Sequence, residues 1–434
     1  MIKKYFILFI FALSVFSCSK YSKGDKERFI PLKEMKTDYE YFWDFIDKGY
    51  PNKNVCIKNG ADLKAIKTYY SEKLKTVKNE TEYIKLYNII CYTLTNSRNF
   101  GHLSVVDYST YKNEIAKVSL EDKRDEDIHY IKKDIRVDDF YEKGLGTNTE
   151  YMKAVQIYEK QKEDIEKFVF KEINNNPNAE HRCIKPSARI KNDIFYIKIP
   201  AFSSTKDFDW NDFEKYQKEI TKNKYKHLII DLRNNGGGHT FLWRKFLVAP
   251  LLKEAKTFKT IALYNPSEFS DHYIPFFLKG DRWSFPAKIS KRKNLPFLEN
   301  LNKKEAASFK EYYDVKYTVE SQISDFQFDG KIWVLINKKS YSASDAFAAF
   351  CKQTGFASLV GENTGGSGLL ALHPVYLKFP RSGLLIKYDM FYTLNPDGSN
   401  NAETGTAPDY PVKQKYALKA CLEIIDLFDN CVFE

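Results

Sequence analysis

Ser342 stands in the run Ser340-Tyr341-Ser342-Ala343-Ser344-Asp345-Ala346-Phe347, between a strand-like apolar segment that ends near Asn337 and an Ala/Phe-rich stretch of helical character. A hydroxyl at a helix start can serve as a nucleophile, because the exposed N–H of the next residue, here Ala343, can receive the negative charge that develops on the attacked group. The plainer role for Ser342 or Ser344 is to cap the helix. A second segment, Ile230-Asp231-Leu232-Arg233-Asn234-Asn235-Gly236-Gly237-Gly238, runs from an apolar strand into three glycines and then a helical run, His239 to Leu252. Glycines let backbone N–H groups face a bound group without side-chain obstruction, and the helix that follows adds the positive end of its dipole. Such a loop suits an anion, either a phosphate or the oxyanion of an acyl-transfer intermediate. A tight strand-to-helix turn would use the same glycines with no chemistry. No Gly-Lys-Ser/Thr follows, so a phosphate loop does not fit. Two more segments complete the set: Gly361-Glu362-Asn363-Thr364-Gly365-Gly366-Ser367-Gly368, and Asp397-Gly398 through Glu403-Thr404-Gly405 to Pro408-Asp409.

These segments need elements to hold them. Ile194 to Ile199, Leu228 to Ile230, Lys331 to Ile336 and Ser358 to Val360 read as strands, with helical patterns near 208–221 and from about Ser344 between them. Strands alternating with helices predict an α/β core with a largely parallel sheet. Ahead of it, Tyr83, Leu86, Tyr87, Ile90 and Leu94 recur at helical spacing, and Asn79 with Glu82 marks the start of that helix. Residues 37–105 therefore read as an N-terminal helical domain, ending at Asn99-Phe100-Gly101-His102. Residues 106–190 are charged and include a helix near 150–172, and residues 265–328 are aromatic and basic and read as an insertion.

In this order and spacing, the four segments resemble peptidase family S41, the C-terminal processing (tail-specific) proteases and the tricorn core protease. Asp231-Leu232-Arg233-x-Asn235-x-Gly237-Gly238 is similar to their oxyanion loop and Ser342-Ala343-Ser344-Asp345 to their nucleophile motif. Gly361-Glu362-x-Thr364-x-Gly366 and Gly405-x-x-Pro408-Asp409 match as well, and the likeness covers about residues 190–415. It implies a crotonase/ClpP-like α/β core domain over residues 191–434. It also implies a serine-type peptidase acting on proteins or peptides, with an oxyanion hole built from the backbone N–H groups of Gly237 and Ala343 and with no metal or organic cofactor.

The likeness is not uniform. Relatives of the Ser-Lys type carry a lysine 25 residues after the nucleophile, and here that position is Ser367. A serine without a base is a poor nucleophile at neutral pH. The tricorn-like branch uses a histidine placed before the core and a glutamate after the nucleophile, and His102 and Glu403 occupy those places. The resemblance thus implies Ser342, His102 and Glu403 as the working set, with His239 and Glu362 as the competing histidine and carboxylate. The serine that this branch places beside its histidine is Gly101 here. Many relatives also carry a PDZ domain, whose carboxylate loop is not visible in residues 106–190, so that segment reads as a helical replacement. A catalytically inactive lipoprotein binding an apolar ligand or peptide on the same scaffold is the alternative; Ser367 and the aromatics Tyr273, Phe276, Phe277, Trp283 and Phe285 point that way.

Bulk properties set the compartment. Met1 to Lys4 is basic, Tyr5 to Phe16 is apolar and too short to span a bilayer, and Ser17-Cys18 follows. This predicts a lipoprotein signal peptide over residues 1–17, a lipid anchor on Cys18, a tether over 18–36, and a chain exported across the inner membrane that faces the periplasm from a bacterial membrane. The net charge of +11 is spread along the chain among acidic residues, which argues for solvation and against nucleic acid as a partner. Six cysteines follow Cys18 with no CxxC pair, so a zinc site is not expected. Ser342→Ala is expected to abolish peptide hydrolysis while leaving the circular dichroism spectrum unchanged.

Overall fold

A computed structural model of the chain describes residues 30–121, 126–156, 187–191, 193–203, 209–210, 213–279, 288–322, 324–326, 328–369 and 373–431. The expectations at residues 1–29, at Trp283 and Phe285, and for the helix beyond residue 156 lie outside these. The strands are β1 (Ser104–Val105), β2 (Ser187–Lys191), β3 (Ile194–Lys198), β4 (His227–Asp231), β5 (Lys256–Tyr264), β6 (Lys288–Lys291), β7 (Glu311–Val319), β8 (Lys331–Ile336), β9 (Ser358–Gly361), β10 (Val375–Lys378), β11 (Leu385–Tyr388), β12 (Tyr392–Leu394) and β13 (Tyr410–Pro411).

The main sheet has six strands in the order β13-β9-β8-β4-β3-β2. It is parallel throughout except where β2 joins β3 antiparallel. The reason is visible in the sequence: both alternating sets of side chains along these strands are apolar, so both faces must be covered. Phe195, Ile197, Leu228, Ile230, Val334, Ile336 and Leu359 enter the large core, while Ile194, Tyr196, Ile229, Trp333, Leu335 and Val360 face the other way. The C-terminal helix Ala417–Cys431 covers that second face with Leu418, Cys421 and Ile425. The fold is α/β.

A four-stranded antiparallel sheet, β12-β5-β7-β6, stands beside the first. Residues 265–328 supply two of its strands, and β7 pairs with β5 over nine residues. Tyr273 and Phe277, among the aromatics of that stretch, are fully buried in the core.

The N-terminal helices Leu32–Lys48, Lys53–Lys58, Leu63–Leu74 and Glu80–Leu94 contribute to the same core cluster as the sheets. The Glu80–Leu94 helix begins as its sequence predicts, with the Asn79 side chain accepting from Glu82 N–H at 3.0 Å. The described parts of residues 106–190 are largely short helices, and Tyr111, Ile115, Ile131, Val137 and Tyr141 enter that core too. Just after the last long N-terminal helix, β1 pairs with β11, placing Ser104 opposite Lys387. This two-residue strand brings the segment ending at residue 102 to the far end of the chain.

Asp38, wholly buried, accepts from Arg381 N–H at 2.8 Å, Ser382 N–H at 2.9 Å and Tyr83 O–H at 3.3 Å, and so fixes the turn that leads into β11. Burial pushes its carboxyl up, and these donors oppose the shift. Asp38→Ala leaves two turn amides unpaired and is expected to cost about 2–4 kcal/mol, read as a lower midpoint in thermal unfolding.

Candidate active site

The loops after two adjacent parallel strands, β4 and β8, form one floor of the site. Asn234 and Asn337 bind each other reciprocally there: Asn337 Oδ1 accepts from Asn234 N–H at 3.0 Å, and Asn337 Nδ2 donates to Asn234 Oδ1 at 3.0 Å. Below them Asp231, fully buried, holds Arg233 through its guanidinium and accepts from Tyr196 O–H at 2.7 Å. Burial would raise the Asp231 carboxyl, but the charge and hydrogen bonds of Arg233, with Lys198 and the Tyr196 hydroxyl, together hold it below the ordinary value.

Ser342 ends the β8 loop with φ 55° and ψ −118°, just before the helix Ala343–Thr354. An L-residue in that region costs of order 1–3 kcal/mol and persists only where the surroundings fix it. Here they do. Ser342 N–H donates to Gly366 O at 3.0 Å, Tyr341 N–H to Asn235 O at 3.1 Å, and Gly365 N–H to Ser340 O at 2.8 Å. On the other side lies Gly237, where a Cβ would sit 2.8 Å from Ser342 Cβ and 2.7 Å from Tyr341 O. The serine is thus wedged between the two glycine-rich segments and makes no cap hydrogen bond, which removes the capping role for it.

Asp345 ties the remaining segments to this turn. It is fully buried and accepts from Thr364 O–H, Gly368 N–H (2.9 Å), Asn401 Nδ2 (2.9 Å), Thr406 N–H (3.1 Å) and Thr406 O–H (2.7 Å). All four sequence segments therefore meet around residues 340–346.

The imidazole arrives from the other end of the chain. His102 Nε2 lies 3.1 Å from Ser342 Oγ, and His102 Nδ1 lies 2.8 and 3.0 Å from the two carboxylate oxygens of Asp389. The His102 side chain is 12% exposed and that of Asp389 6%. An ionised carboxylate only accepts, so it selects the tautomer with the proton on Nδ1 and leaves Nε2 as the acceptor facing the serine. Asp389 follows directly on β11, and its N–H donates to Gly101 O at 2.7 Å. Gly101 has φ 56°, and a Cβ there would meet Asn52 Nδ2 at 2.4 Å, so a serine at this position, as in the tricorn-like branch, would require the Asn52 side chain to move.

Two sequence-based assignments are corrected by this geometry. Glu403 is not the partner of His102. Its carboxylate is taken by Lys58 Nζ at 2.9 Å and Asn59 Nδ2 at 3.3 Å, and its carbonyl accepts from Arg98 Nη2 at 2.9 Å. It clasps the N-terminal helices to the core. Gly237 N–H donates to Asn235 Oδ1 at 2.9 Å and is not offered to the cleft; the glycine is required for its space. Ala343 N–H, the first of its helix, has no acceptor within the helix and no hydrogen bond among the described residues. Of the competitors, His239 is exposed and its N–H binds Phe202 O, while Glu362 accepts from Gln414 N–H at 3.3 Å. Ser367 is buried with φ 57° and brings no base. Sequence reasoning missed Asp389 and Tyr341. A carboxylate directly after the strand Leu385–Tyr388 was the available signal for the first.

The sequence matches the model of peptidase family S41 over residues 193–412. No curated protein matches the chain. Among solved structures, it is similar to a candidate peptidase from Parabacteroides merdae, with 16% identity, 90% of this chain and 96% of that one covered, and a TM-score of 0.47. It is also similar to a lipoprotein from Streptococcus agalactiae, with 14% identity, coverage of 94% and 99%, and a TM-score of 0.42. A third similar structure is mature CPAF in complex with lactacystin, with 14% identity, coverage of 92% and 98%, and a TM-score of 0.48.

Asp389→Asn keeps the shape but permits the wrong tautomer, and is expected to lower kcat by on the order of a thousandfold or more. Glu403→Gln is expected to leave kcat near that of the wild type and to cost about 0–1 kcal/mol of stability. Steady-state kinetics and thermal unfolding of the two variants separate the roles.

Proposed function

Because the chain belongs to peptidase family S41, we propose that it is a serine peptidase cleaving proteins or peptides with Ser342 as nucleophile, His102 as base and Asp389 as the group that orients the base. The observation that carries this is the 3.1 Å separation of Ser342 Oγ from His102 Nε2, with the opposite ring nitrogen on Asp389. That is hydrogen-bond reach for proton transfer. Oγ attacks the scissile carbonyl carbon as its proton passes to Nε2. The imidazolium then gives this proton to the leaving amine nitrogen as the C–N bond breaks, and an ester on Ser342 remains. Water attacks the ester by the same route, with His102 taking its proton and returning one to Ser342 Oγ. The Asp389 carboxylate holds the imidazole in place and stabilises the imidazolium at both stages. Ala343 N–H is the oxyanion donor we assign; losing one such donor typically costs on the order of a hundredfold or more in rate.

The same reading takes residues 191–434 as a crotonase/ClpP-like core, and places the protein on the periplasmic side of a bacterial membrane by a lipid on Cys18. An inactive binding protein is the less favoured reading, because a base and its carboxylate stand where the nucleophile needs them.

A fluorophosphonate probe is expected to label the wild type at Ser342, mapped by mass spectrometry, and to leave His102→Ala largely unlabelled. Equal labelling of both would remove the base from the mechanism. Cys18→Ser is expected to move the full chain from the membrane to the soluble fraction of cells.

A further inference from the structure

His102 sits at the end of a loop that is strained over most of its length. Asn96, Ser97, Asn99, Gly101 and His102 all have φ between 47° and 60°. Such a run holds its shape only if outside contacts fix it. Tyr50 O–H donates to Phe100 O at 2.5 Å and Asp389 N–H to Gly101 O at 2.7 Å, which tie the loop to the N-terminal helices and to the residue after β11. Neither contact sets the loop relative to the nucleophile. Tyr341 does. Its phenol O–H donates to Asn99 O at 2.9 Å and its oxygen accepts from His102 N–H at 3.3 Å, while its ring lies 4.9 Å from the imidazole. The backbone N–H of the same residue donates to Asn235 O in the glycine loop, and its peptide carbon bonds directly to Ser342.

We propose that Tyr341 is a positioning residue for the reaction: one side chain, carried on the residue bonded to the nucleophile, pins the backbone of the base and so sets the distance between Ser342 Oγ and His102 Nε2. The inference rests on the assignment of Ser342 and His102 above. The distance leaves little slack, because at 3.1 Å the pair is close to the outer limit of hydrogen-bond reach. A shift of about 1 Å in such a pair can cost on the order of a hundredfold in rate. Burial, and after it the Asp389 charge, hold the phenol far above its ordinary range, so it keeps the proton it donates to Asn99. Tyrosine serves here because it both donates and accepts through one oxygen, at the end of a rigid ring long enough to reach the loop.

The test is Tyr341→Phe in the full chain, with activity counted per active site by fluorophosphonate titration. The ring and its packing remain while both hydrogen bonds go. The expected result is a kcat lower by roughly tenfold to a hundredfold with KM within about twofold. A second readout is nuclear magnetic resonance of nitrogen-15-labelled histidine: the His102 Nδ1–H proton, sharp in the wild type, is expected to broaden or exchange rapidly in the variant. A wild-type kcat per titrated site with an unchanged His102 signal overturns the proposal, as does a loss of activity that vanishes once unfolded protein is discounted. The parent assignment fails separately: Ser342→Ala retaining hydrolysis would refute it, and the Tyr341→Phe histidine spectrum would still decide whether the phenol pins the loop.

Discussion

The structure turns on a single hydrogen bond between two residues 240 positions apart in the chain, His102 and Ser342. Everything on one side of it exists to present a hydroxyl, and everything on the other to present an imidazole. Both residues have positive φ, so each end of the bond carries backbone strain that the rest of the fold must hold. On the serine side the restraint comes from three loops packed on each other, with Gly237 and Gly366 allowing approaches that a Cβ would block. On the histidine side it comes from the pairing of β1 with β11, from Asp389, and from Tyr341.

The order of segments along the chain thus has a spatial meaning. Asp345 is the last residue of the Ser342-Ala343-Ser344-Asp345 motif. Its buried carboxylate gathers Thr364, Gly368, Asn401 and Thr406, so the third and fourth segments are scaffolding for the first two. Glu403 does similar work at longer range, joining Lys58 and Asn59 to the core and so steadying the helices from which His102 hangs. Removing either is a different experiment from removing a group that touches the reacting atoms.

The parallel strands were legible because each is apolar on both faces, and Ser342 because a known pattern surrounds it. His102 was legible only through the resemblance, since no local feature separates it from the other histidines. Asp389 was not legible, because its meeting with His102 depends on the β1–β11 register, which no local pattern reveals. Glu403 misled because it lies within a recognised segment, while its neighbours Lys58 and Asn59 come from a helix far away in sequence. The antiparallel sheet was hidden by composition, although Tyr313, Val315, Tyr317 and Val319 alternate in β7 with a period of two that a closer reading could have used.

In the proposed reaction Ser342 Oγ is the nucleophile and His102 its base. A crystal structure with a peptide boronate tests this most directly. The expected result is boron bonded to Ser342 Oγ, His102 Nε2 within hydrogen-bond distance of the adduct, and a boronate oxygen accepting from Ala343 N–H. An adduct on another residue, or none at all with His102 still beside Ser342, would contradict it.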